Sequence, residues 1–146
     1  MVKNSFLWIV FIYALCVVCP ENVFSHGKKA KALPHFKEGV TKVSENELFS
    51  IEMVTDPVQP KTGKNKVKVY LHDADGRDLE DAKVELEIWN KDKSALSLEK
   101  TKTREMGQGE YIVRNVIYDT PGKYELRIKV SKDTDTDRVV FDLEVK

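Results

Sequence analysis

Three histidines, His26, His35 and His72, are the side chains of this 146-residue sequence best suited to holding a metal. Their value depends on where the working chain begins. If it begins at His26, the free α-amine and imidazole of that residue make a nitrogen pair suited to tetragonal Cu(II), and His35 can add a third nitrogen. The plainer alternative is an arbitrary residue exposed on a flexible tail, with His35 solvated. His72 stands beside Asp73 at the end of an alternating run and is expected as an ordinary strand-end residue.

Two acidic stretches call for the same weighing. Asp133, Asp135, Asp137 and Glu144 fall at spacings like those of a calcium loop, but Arg138 stands where the sharp turn needs glycine, and Val139 to Val145 already alternates as a strand. A solvated hairpin loop is expected there. In "HDADGRDLED", Asp73, Asp75 and Gly76 could hold calcium weakly, yet an Asp-Gly turn between strands explains the segment without a metal. Catalysis has little support. No nucleophile motif gathers Ser, His and acid residues, and no glycine-rich phosphate loop leads from a strand into a helix. The protein is expected not to be an enzyme.

The start of the chain is set by an export signal. Lys3 is followed by thirteen apolar residues, Phe6 to Val18, and then by Pro20 and a short polar segment ending at Ser25. As a helix that run would reach about 20 Å against a hydrocarbon core of roughly 30 Å, which favours a removed signal over a permanent span. Cleavage is expected between Ser25 and His26, where Val23 and Ser25 fill the small-residue positions; a cut after Ala32 would place Lys28, Lys29 and Lys31 in a region that should be uncharged. Cys16 and Cys19 sit where a lipidated cysteine would, but Leu15 and Val18 precede them in place of a small residue.

Both cysteines belong to this signal, so the mature protein has none and relies on its core alone. The chain carries 24 basic and 24 acidic residues; cleavage removes Lys3 and Glu21, one of each, and keeps the net charge at zero. That balance argues against nucleic acid as a partner and limits membrane contact to the signal segment if it is left uncleaved.

Residues 26–46 are polar and lysine-rich without a sustained period, and are expected as a flexible, extended lead-in. From residue 47 to 146 the pattern is period two: Phe49, Ile51 and Met53; Val67, Val69 and Leu71; Val84, Leu86 and Ile88; Tyr111 and Val113; Tyr124 to Val130; Val139 to Val145. Each set lines one face of a strand, and a further strand is expected within residues 96–103. Turn segments such as "DPVQPKTGKN", "MGQGE" and "DTPGK" separate them. The class is all-β: an antiparallel sandwich of about seven strands with an immunoglobulin-like plan.

The succession "PVQPKTGKNKVKVYLHDADGRDLEDAKVELEI", "GQGEYIV" and "TPGKYELRIKV" resembles the YtkA-like and FixH-like family of small exported immunoglobulin-like domains over roughly residues 49–146. Gly76 and Gly122 suit turns needing positive φ, and Tyr124 stands where a tyrosine corner can pin the end of the sandwich. The resemblance implies an accessory or binding module in the periplasm or outside the cell, in copper handling or respiratory oxidase assembly, with an envelope protein as partner. It also implies methionines or histidines between the third strand and the "GxY" strand. That segment offers only Met106. The competing class is a structural domain that recognises a protein through a sheet edge or exposed face and binds no ligand.

Overall fold

The computed structural model describes residues 28–146. The expected signal (1–25), the cleavage point between Ser25 and His26, and His26 as a ligand all lie outside the described residues. Nine strands follow in order: β1 (Val40–Val43), β2 (Ser50–Asp56), β3 (Gly63–His72), β4 (Lys83–Asn90), β5 (Ala95–Lys102), β6 (Arg104–Gly107), β7 (Glu110–Tyr118), β8 (Gly122–Lys132) and β9 (Asp135–Val145). They form two antiparallel sheets, β1-β2-β3-β7-β6 and β5-β4-β8-β9. No helix among the described residues is long and apolar enough to cross a membrane.

The alternation expected from the sequence builds the core. Ile51, Met53, Val67, Val69 and Leu71 of the first sheet face Val84, Leu86, Ile88, Leu126, Ile128 and Phe141 of the second, and all are buried. In β7 the period breaks and recovers. A register shift against β3 between Asn65 and Lys66, with Asn115 at φ 61°, returns Val116 and Tyr118 to the interior after Tyr111 and Val113.

Two strands exceed the seven expected, for one physical reason. The β1 segment "VTKV" and the β6 segment "REMG" carry little apolar alternation; Val40 and Met106 are exposed, and backbone pairing to β2 and β7 is what makes them strands. Turn chemistry follows the sequence more closely. Gly76 and Gly122 take positive φ, and the Tyr124 hydroxyl donates to the Thr120 carbonyl at 2.8 Å, as a tyrosine corner does.

The acidic segment 133–137 begins in the two-residue turn between β8 and β9 and continues into β9, with Lys132 opposite Asp135 and Val130 opposite Asp137. Glu144 lies at the far end of β9, so these residues do not converge on an ion. Asp137 instead turns inward: its carboxylate accepts from the Asn46 and Arg138 backbone N–H groups and the Asn46 side chain, each at 2.9 Å. It thereby ties the β1–β2 connection to the second sheet.

Candidate metal centre

In β2 and β3 the residues that point away from the core are polar apart from Val54 and the ring of Tyr70. Register places Ser50 opposite His72 and Glu52 opposite Tyr70. An outward face of an antiparallel sheet is ordinarily wet, yet here Ser50 and Glu52 are wholly buried and His72 is 2% exposed. The cover is the lead-in, whose residues 28–36 cross this face without regular structure before a turn at 37–38.

That strap is held by a few polar anchors. The Leu33 N–H donates to Ser50 Oγ at 3.1 Å, and the His35 and Phe36 N–H groups donate to the two Glu52 carboxylate oxygens at 2.7 and 2.8 Å. Phe36 lies on Tyr70 with ring centroids 4.6 Å apart. Gly39 is glycine for a local reason: a Cβ there would collide with the Glu52 carboxylate.

Docking of the strap brings His35 onto His72, their ring centroids 4.5 Å apart and the planes inclined by 32°. His35 Nδ1 is 3.6 Å from Glu52 Oε2, and His72 Nε2 is 3.2 Å from Asp78 Oδ1. The other nitrogen, His72 Nδ1, is buried with no hydrogen-bond partner. Burial, reinforced by the neighbouring His35, holds the His72 pKa below the ordinary imidazole value, against the pull of Asp78 and Glu52. A neutral ring with Nε2 beside a carboxylate keeps its proton there and leaves a lone pair on Nδ1.

One nitrogen beside a carboxylate and the other without a partner is a pattern that metal-binding imidazoles share. The two rings lie against one another, and imidazole nitrogens are donors of the kind copper accepts. Among the described residues, no group of three or more His, Cys, Asp or Glu side chains is arranged to hold an ion.

Of the residues singled out by sequence, His35 stands in this cluster. His72, expected as an ordinary strand-end residue, does end β3, and it is also the more deeply buried member of the pair. Met106 is exposed on β6, the edge strand of the same sheet, and Met53 faces the core. In the "HDADGRDLED" turn, Asp73 Oδ1 accepts from the Asp75 and Arg77 N–H groups, and Asp75 pairs with Lys28 at 2.7 Å, so these acids serve the turn. Glu52 carried no signal in the sequence, because a polar residue at an outward position of an alternating strand is what solvent exposure predicts.

The outer face of the second sheet has a different character. A groove of about 570 Å³ there is lined by Glu45, Glu87, Arg127, Lys129 and Arg138 among others. Arg138 pairs with Glu45 and Arg127 with Glu125, while Arg127 also lies over Trp89 at 4.6 Å. These charges largely satisfy one another and converge on no common point.

The fold has solved counterparts. The copper-reconstituted P19 protein of Campylobacter jejuni superposes with a TM-score of 0.56 at 14% identity, over 74% of this chain and 94% of that one. A copper-bound Glu-to-Gln variant of the same protein gives 0.51 at 14% identity over 73% and 94%. FetP of uropathogenic E. coli strain F11, expressed recombinantly in the periplasm, gives 0.51 at 11% identity over 80% and 93%. No curated protein matches the sequence at a significant level. The profile of the YtkA-like family matches residues 44–129, more than half of the sequence and most of the sandwich, and the chain therefore belongs to the YtkA-like family.

Proposed function

We propose that this protein is an exported metal-handling module of the cell envelope, with copper as the ion it carries. The observation that bears the reading is the buried, unpartnered Nδ1 of His72, with Asp78 orienting the opposite nitrogen and His35 stacked on the ring. A buried polar atom without a partner costs roughly 1–3 kcal/mol unless something satisfies it, and a metal ion would do so. The copper-bound state of the structurally similar P19 supports the choice of ion.

In this reading His72 and His35 each present one imidazole nitrogen, and His26 is the proposed source of the remaining donors through its α-amine and ring after cleavage at Ser25. Metal held by neutral side chains alone keeps its full charge. Glu52, 3.6 Å from His35, offsets part of it without being required as a ligand. The module acts by binding and release and performs no bond-making chemistry. Its place is the periplasm or the cell exterior, and an envelope protein that supplies or receives the ion is the proposed partner.

Calorimetric titration with Cu(II) tests this. The processed chain should bind one ion, His72→Phe and His35→Ala should each weaken binding at least tenfold, and one residue added ahead of His26 should weaken it too. Equal affinities in all four proteins, or no binding in any, would leave the competing reading of a ligand-free interaction domain.

A further inference from the structure

We propose that residues 28–38 are a lid over the site, that Glu52 is the clamp holding it closed, and that a bound metal ion locks it. This rests on the metal reading above and adds to it the route by which cargo enters and leaves.

The strap makes no strand pairing with the sheet beneath it. Its backbone is held by the Ala30 N–H on the Glu47 carbonyl at 2.7 Å, by the Leu33 N–H on Ser50 Oγ, and by the two N–H groups on Glu52. Two of its four lysines, Lys28 and Lys29, pair with Asp75 and Glu47 at the surface, where such pairs contribute little. Phe36 remains 42% exposed even while it lies on Tyr70. A segment tied down at so few points opens at a small fraction of the global unfolding free energy.

The anchors are also unequal. Among the described residues Glu52 alone holds two successive strap amides, and it is wholly buried beneath them. When the strap lifts, Ser50, Glu52, Tyr70 and His72 come into contact with water together, because they share one face of β2 and β3.

One imidazole of the pair is on the lid and the other on the sheet. An ion shared between them binds the closed form more tightly than the open one, so loading must favour closure, and whatever loosens the lid must lower affinity. Glu52 is then a positioning residue. It touches the backbone of the residue that carries one donor, and acts on the ion through that placement. Release of cargo to a partner accompanies opening of the strap.

Hydrogen exchange of the purified exported protein, followed by mass spectrometry over peptides spanning 28–38, tests the lid, with Cu(II) binding measured separately by calorimetry. Saturating Cu(II) should slow exchange in 28–38 at least tenfold while β8 is unchanged. Glu52→Gln puts an amide group against one strap N–H and should speed exchange there at least tenfold without metal, and raise the copper dissociation constant in proportion. Phe36→Ala, a change at a half-exposed ring that leaves the buried carboxylate alone, should act in the same direction and guards against misfolding of the first variant. Copper binding with unchanged exchange in 28–38 would overturn the lid and leave the metal reading standing. Absence of copper binding in the unaltered protein would overturn both.

Discussion

Asp137→Ala removes the buried carboxylate that joins the β1–β2 connection, and with it the base of the strap, to β9, leaving the exposed Glu45–Arg138 pair in place. The Asn46 and Arg138 N–H groups lose an ionised acceptor at 2.9 Å, as does the Asn46 side chain, and Leu48 N loses a longer contact at 3.5 Å. Hydrogen bonds to a charged group are worth about 1.5–3 kcal/mol each, but Asn46 and Arg138 lie at the surface and water recovers part of that. The expected loss is about 2–4 kcal/mol, and with a urea slope of roughly 1.5 kcal/mol per molar the midpoint should fall by about 1.3–2.7 M. A pH dependence accompanies it. Burial pushes the Asp137 carboxyl up, but bonds from Ser44 and the backbone of Arg138, Asn46 and Leu48 outweigh it and hold the pKa below the ordinary 3.8. The unfolded chain therefore takes up the proton first on acidification. Asp137 contributes fully above its unfolded pKa, and the contribution is lost as the pH falls through the lower folded value. Urea titrations of the unaltered protein and of Asp137→Asn should thus differ by a constant amount from pH 7 down to about pH 5, and the gap should close below about pH 4. A midpoint unchanged at pH 7 in Asp137→Ala, or a gap that persists undiminished at pH 3, would refute the latch.

Leu126 and Phe141 are at most 1% exposed between the sheets, so Leu126→Ala and Phe141→Ala should each cost about 2–5 kcal/mol in denaturant unfolding; unchanged midpoints would contradict the register. Gly109 has φ +69°, and a Cβ there would stand 2.6 Å from the Leu71 carbonyl oxygen, against the strand that ends in His72. Gly109→Ala should therefore lower thermal stability by several degrees, whereas Gly63→Ala, which meets nothing within 4 Å, should lose only its backbone strain. Intact mass of the protein from its envelope fraction should correspond to a chain beginning at His26; retention of residues 1–25 or a lipidated cysteine would contradict export with cleavage at Ser25.

The sandwich was legible because its strands are buried on one face and wet on the other. Val67, Val69 and Leu71, for instance, alternate with lysines and a tyrosine, and each is fully buried. Strands β1 and β6 were not legible, since backbone pairing builds them and little apolar patterning marks them. The site was half legible. His35 stood out as a potential ligand by residue type, but nothing in "KALPHFKEG" announces that this segment lies flat on β2 and β3, because its anchors are backbone N–H groups, which every sequence possesses. Without that contact Glu52 reads as a solvated outward residue and His72 as a strand end. Burial by a neighbouring segment turns the first into a clamp and leaves the second with an unpartnered nitrogen.

The most direct test of the metal site is paramagnetic broadening in the amide spectrum of the protein as Cu(II) is added in substoichiometric amounts. Resonances of residues around His35, His72, Ser50 and Asp78 should vanish first, while those of β8 and β9 on the opposite sheet persist. Broadening confined to the residues next to the N-terminus, or spread uniformly along the chain, would contradict a site built on His72.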